Sequence, residues 1–168
     1  MDAKKRMNYS VDMDPHFIAI SILVILYSLK RFNFKTKFKY PQKFSSLIYF
    51  VNSVENVSLF KLKLDENYKL KLTDYERLNN LYLKSKLIEP QVNRVLNSLK
   101  DQGYIESEIV KDEVCIYLNK SKCTFIEQPI FIDLIDNSKE VQKYFKTISS
   151  IAYDTYYQRL FKGIEYNE

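Results

Sequence analysis

Glycine is almost missing from this chain: two of its 168 residues, Gly103 and Gly163, sixty positions apart. A Rossmann fingerprint or a P-loop needs several glycines within a few residues, because only glycine lets backbone N–H groups close on a phosphate. Both routes to a nucleotide are excluded. Histidine occurs once, as His16, and cysteine twice, as Cys115 and Cys123. A nucleophilic triad needs an imidazole beside its nucleophile, and His16 stands just ahead of a long apolar run, far in sequence from either thiol. Structural zinc needs four Cys or His ligands at short spacings, which these three residues cannot supply. With no cysteine-rich framework around them, the two thiols read as reduced, in a reducing compartment. No carboxylate pair stands out as an acid/base couple. The expectation is a protein that is not an enzyme and takes no cofactor and no metal.

Long hydrophobic runs are also scarce. The most apolar stretch, Phe17–Leu29, has thirteen residues and stops at Lys30 and Arg31, where a membrane-spanning helix needs about twenty. Lys4, Lys5 and Arg6 resemble the start of a signal peptide, but Asp12, Asp14 and Pro15 intervene and no small-residue cleavage site follows. The chain is therefore expected to be cytoplasmic, with no membrane partner. What is present in quantity is apolar surface: 46% hydrophobic residues, with 14 Tyr and 11 Phe. That is enough to build a core.

The pattern along the chain suggests an α+β fold, mostly helical. Residues 1–13 are polar and expected to be loose. Asp14 and Pro15 cap a helix running to about Arg31. Phe32–Tyr40 alternates apolar and basic residues, as a strand would, with Lys35, Lys37 and Lys39 on one face. A helix is expected over roughly 42–54. Residues 60–72 alternate on both sides of Asp65-Glu66-Asn67 and read as a hairpin, with Lys61, Lys63, Lys69 and Lys71 outward. Thr73 and Glu76 have capping-box spacing. The helix they open should end near Leu83, turn over Lys84–Ile88, and restart at Glu89-Pro90. Val92, Val95, Leu96 and Leu99 give the second helix an apolar stripe, and Gly103 ends it. Strands follow at Tyr104–Val110 and Val114–Leu118, around Lys111-Asp112. A long helix is expected from about Ser138 to Phe161, closed by Gly163, with Val141, Phe145, Ile148, Ala152, Tyr156 and Leu160 as its stripe. No linker divides the chain. It is expected to be a single domain over 1–168: helices and a basic hairpin over 14–72, a winged helix over 73–118, and a helical extension over 129–168.

The order helix, short turn, helix, glycine, hairpin is that of a winged helix-turn-helix. The second helix has a polar front of Gln91, Asn93, Arg94, Asn97 and Ser98. Asn and Gln can bond adenine bidentately, and Arg can bond guanine. The same residues would equally make a solvated helix face. The hairpin argues against simple DNA binding: Glu106, Glu108, Asp112 and Glu113 stand there against Lys111 alone. A wing that lies on phosphates should be basic. Residues 1–105 carry eighteen bases against ten acids, and residues 106–168 eight against eleven. Phosphate contact therefore falls to Lys35, Lys37, Lys39, Lys61, Lys63, Lys69 and Lys71, unless those lysines only blunt exposed sheet edges.

Residues Pro90–Ile105 resemble the recognition-helix-to-wing passage of MarR-like regulators. The whole layout resembles the middle component of ABC three-component anti-phage systems of the Lamassu type, and in outline the kite proteins that pair with SMC complexes. The residues behind this are Asp14-Pro15 leading into Ile18–Leu26, Leu99 to Gly103-Tyr104-Ile105, Tyr117-Leu118, and Tyr156-Tyr157 with Leu160. The resemblance implies a non-catalytic subunit in anti-phage or anti-plasmid defence, bridging an SMC-like or Rad50-like ATPase and an effector near DNA. The alternative is a dimeric transcription regulator, a homodimer joined by its C-terminal helix. The apolar surplus at the two ends marks Ile18, Ile22, Ile25, Tyr153, Tyr156, Tyr157 and Phe161 as candidate partner contacts.

Overall fold

Asp14 caps the first helix by accepting the His16 N–H at 2.8 Å, and Pro15 opens α1, Pro15–Ser28. The computed structural model describes residues 14–164, so the loose segment expected over 1–13 lies outside the described residues. After α1 come a two-residue strand β1 (Phe38–Lys39), α2 (Phe44–Val51), α3 (Val54–Leu64) and α4 (Leu72–Asp101). The hairpin β2 (Ile105–Val110) and β3 (Glu113–Leu118) follows, then α5 (Ile132–Tyr144) and α6 (Tyr153–Phe161). The fold is mostly helical α+β, with one antiparallel sheet in the order β1-β3-β2. Lys111 and Asp112 both take positive φ, 51° and 64°, as a tight two-residue hairpin turn requires.

α1 and α2 form the centre. All eight residues of α2 are buried, and α1 packs on α4 and α5. Asn52 breaks the helix expected over 42–54, and Ser53 caps a new one by accepting the Asn56 N–H at 3.1 Å. That new helix, α3, replaces the first arm of the expected 60–72 hairpin. Its Val57, Leu59 and Phe60 are buried, so tertiary packing overrides a Lys/Leu alternation that suits a strand equally well. The strand expected over 32–40 shrinks to Phe38–Lys39. Asn33 accepts the N–H groups of Lys35 and Thr36 at 2.9 and 3.2 Å and winds 34–36 into a 3-10 turn.

The largest correction concerns α4. It is one helix of 30 residues, with no turn at Lys84–Ile88. Its buried positions are Asp74, Leu78, Leu81, Ser85, Ile88, Val92, Val95, Leu96 and Leu99. From 74 to 95 they recur at alternating spacings of four and three, which keeps one seam on the core. Ser85 sits in that seam and interrupts the apolar count, so the sequence reads as two helices. Pro90 is exposed within the helix, where it removes one backbone bond. The helix begins after Lys71, whose N–H is held by Asp74 at 2.9 Å, rather than at Thr73.

The helix expected over 138–161 is also two helices, α5 and α6, with turns over 145–152. The expected stripe is buried apart from Ala152. The backbone between the helices unwinds because its carbonyls are used elsewhere. Lys43 is fully buried and donates its ammonium to the carbonyls of Ile148 (2.6 Å) and Ile151 (3.0 Å). The Lys39 N–H takes the carbonyl of Ser149 at 2.8 Å. The rings of Phe38, Tyr40 and Tyr156 surround the Lys43 ammonium. Burial, with Lys39 nearby, pulls its pKa down to about 7.

Candidate nucleic-acid interface

The second half of α4 carries the polar side chains singled out above, and packing divides them into two rows. Val92, Val95, Leu96 and Leu99 turn inward. Asn93 and Asn97, with Lys100, line an open groove of about 460 Å³ between α4 and the sheet. Gln42 and Ser107 stand on its far wall, and Leu96, Ile105 and Ile116 also line it. Gln91, Arg94 and Ser98 line a second groove of about 320 Å³, shared with Pro15 and His16 at the start of α1. Asn93, Arg94 and Asn97 are exposed, and none makes a side-chain hydrogen bond or ion pair among the described residues. From 91 to 98 the row spans about 10 Å at helical rise. Ser98 accepts from the Gln102 amide at 2.9 Å, while Asn93, Arg94 and Asn97 leave a donor and acceptor surface of the width that enters a major groove. Gln42, Lys100 and Ser107 were not signalled by the sequence, since only the fold brings residue 42 beside residue 97.

The lysine sets do not form the two basic faces expected of them. Lys39 pairs with Glu113 at 2.9 Å. Tyr40 and Lys39 both bond the Glu113 carboxylate and hold its pKa below the usual range. Lys37 lies over the ring of Phe34, while Lys35 is exposed beside it on the 3-10 turn. Lys61 and Lys63 lie on α3. Lys61 pairs with Glu140 at 2.9 Å. Lys63 donates to the Lys162 carbonyl at 3.0 Å, and burial lowers its pKa. Lys69 and Lys71 sit in the extended approach to α4, exposed and without an ion pair among the described residues. Of the seven, Lys35, Lys69 and Lys71 keep exposed, unpaired charges.

Five of the seven candidate partner contacts lie in the chain's own core. Ile18, Ile22, Ile25, Tyr156 and Phe161 are at most 1% exposed. Tyr156 shares a 2.7 Å hydrogen bond with Ser46, and burial raises its pKa. Tyr153 and Tyr157 are half-buried and pack ring to ring, and Tyr157 also packs on Tyr82 and Phe161. Most of the apolar surplus in α1 and α6 is thus taken up inside the molecule, while Ile20 and Tyr144 stay exposed.

His16 is exposed on the first turn of α1 while both thiols are buried, and burial raises Cys123 to about 11. Among the described residues no three His, Cys, Asp or Glu side chains cluster as a metal site would require, and no helix is long and apolar enough to cross a membrane. Compared with known protein families, with curated proteins and with solved structures, the chain matches none.

Proposed function

We propose that this chain is a non-enzymatic accessory subunit of a DNA-associated complex built around an SMC-like ATPase. The second half of α4, Gly103 and the β2–β3 hairpin make its winged-helix-like unit, with β1 as the third strand. Gly103, at φ +73°, lets the chain leave α4 and enter β2 within three residues. The polar face of α4 meets DNA and the acidic hairpin meets protein. The observation that carries this reading is the exposed, unpartnered set Asn93, Arg94 and Asn97 beside a hairpin whose Glu106, Glu108 and Asp112 would be repelled by phosphate. Two adjoining surfaces of opposite chemistry suit a bridge better than a free repressor. The defence role comes with the Lamassu-type resemblance.

The dimeric-regulator alternative depended on a long C-terminal helix as dimer element, and α5 and α6 are two short helices joined by turns. Purification of the tagged chain from its native host, with and without nuclease, tests the proposal. A coiled-coil ATPase that co-purifies after nuclease treatment, and DNA that co-purifies without it, supports it. A monomer that retains neither contradicts it.

A further inference from the structure

One edge of the sheet is open. β1 covers β3 on one side, but β2 has no neighbour on the other among the described residues. The ladder shows which groups point there. Leu118 donates its N–H to the Arg31 carbonyl at 2.7 Å, and Tyr40 donates to the Val114 carbonyl at 3.0 Å, both on the β1 side. In an antiparallel pair, a residue that turns its peptide groups away from the partner strand sits opposite one that does the same. The cross-strand partners of Leu118, Ile116 and Val114 are Ile105, Ser107 and Ile109. Those three therefore aim their N–H and C=O groups outward, at a free edge six residues long.

The side chains along that edge differ by face. Ile105, Ser107 and Ile109 lie on the groove side, where Ile109 is 75% exposed opposite the exposed Val114. Glu106 and Glu108 lie on the other side, around Tyr117, whose hydroxyl donates to Glu108 at 3.1 Å. A bare edge strand with an exposed apolar side chain is a template for another strand. Self-pairing of two copies is disfavoured by charge. About a twofold axis, antiparallel β2 strands oppose residues on the same face, so Glu106 and Glu108 would meet carboxylates.

We propose that β2 accepts an extended segment of a partner protein as a fourth strand, one in which lysine or arginine alternates with apolar residues. The basic side chains pair with Glu106 and Glu108, and the apolar ones extend the surface of Ile109, Val114 and the groove. The proposal rests on the protein-binding half of the reading above.

The test is amide hydrogen exchange of the full chain with two end-capped nine-residue peptides, one alternating valine and lysine, the other valine and glutamate. The lysine peptide should slow exchange at Ile105, Ser107 and Ile109 by about tenfold or more, and the glutamate peptide should not. Ser107→Pro removes the central outward N–H and no β2–β3 bond, so it should keep the melting temperature and lose the peptide. Glu106→Lys should weaken the lysine peptide and leave the fold intact. No protection by the lysine peptide, or equal binding by Ser107→Pro, overturns the proposal. Protection already present in the chain alone also overturns it, since the edge would then be covered by its own residues or a second copy. Ile109→Pro removes another outward N–H at a residue that does not line the groove, so it should lose the lysine peptide and keep the DNA binding of the unaltered chain, and failure of the DNA reading and failure of this one are separately visible.

Discussion

Helices α1 and α4 lie against each other and are used in opposite ways. α1 buries eight of its fourteen residues, and its apolar side chains are covered by α4, α5 and the sheet. α4 buries nine of its thirty, along a single seam, packs Tyr75 and Tyr82 partly against the core, and leaves much of its outer face to solvent. The first is consumed in making a core. The second is a strut whose outer face is free for other uses. Hydrophobicity alone would have assigned them the other way round, since an apolar helix in a small protein looks like an interface. The deciding quantity is how much surrounding chain is available to cover it, and here α5, α4, α2 and β3 supply that cover.

The contrast can be broken first at Ile22 and Leu87. Ile22→Ala on α1 should cost about 2–5 kcal/mol in urea unfolding, because a fully buried side chain leaves both lost transfer energy and a cavity. Leu87→Ala on α4, at 69% exposure, should stay within about 0.5 kcal/mol. Similar losses at the two positions would contradict the division. Pro90→Ala sharpens it. Within one continuous α4, removing the proline should stabilise the chain by up to about 3 kcal/mol, because the missing hydrogen bond and the ring clash both go. If a second helix began there instead, Pro90 would sit at its favoured first position and the substitution would be neutral or destabilising.

Next in size is the DNA effect. Arg94→Ala and Asn97→Ala should each weaken binding to a specific duplex by about 1–3 kcal/mol, with unfolding within about 0.5 kcal/mol of the unaltered chain. Fluorescence anisotropy and thermal melts on the same samples check both halves. Lys43 then gives the covered region a pH signature. Its pKa is about 7 when folded and about 10.4 when unfolded. Between those values the unfolded chain holds the extra proton, so stability rises with pH. Urea midpoints from pH 7 to 9 should climb, with a slope of at most about 1.4 kcal/mol per pH unit. Lys43→Met should flatten that climb. The smallest effect belongs to Lys35, Lys69 and Lys71. Changing each to Gln should lower the salt slope of DNA binding by about one unit for every phosphate that the lysine neutralises. Lys39 and Lys61, already paired with Glu113 and Glu140, should change it less.

Several elements were legible because a local signal and the tertiary packing agree. Asp14-Pro15 marks the start of α1, Lys111-Asp112 marks the hairpin turn, and Gly103 and Gly163 follow the ends of α4 and α6. The elements misread are those where distant contacts decide. The 60–72 stretch fits a strand or a helix by pattern, and burial of Val57, Leu59 and Phe60 selects the helix. Ser85 hides the continuity of α4. The break at 145–152 depends on Lys43, about a hundred residues away in sequence. The candidate interface was half visible. The polar front of α4 could be read from spacing, while the groove wall of Gln42 and Ser107 exists only once the sheet is folded against the helix.

The most direct test of the bare-face assignment is amide chemical-shift mapping of the full chain titrated with duplex DNA. The account predicts the largest shifts along Gln91–Ser98 and at Gln42 and His16, which flank the two grooves, with little change at the Lys111-Asp112 turn. Shifts centred on that turn or on Lys35–Lys39, or no shift on any duplex, would contradict it.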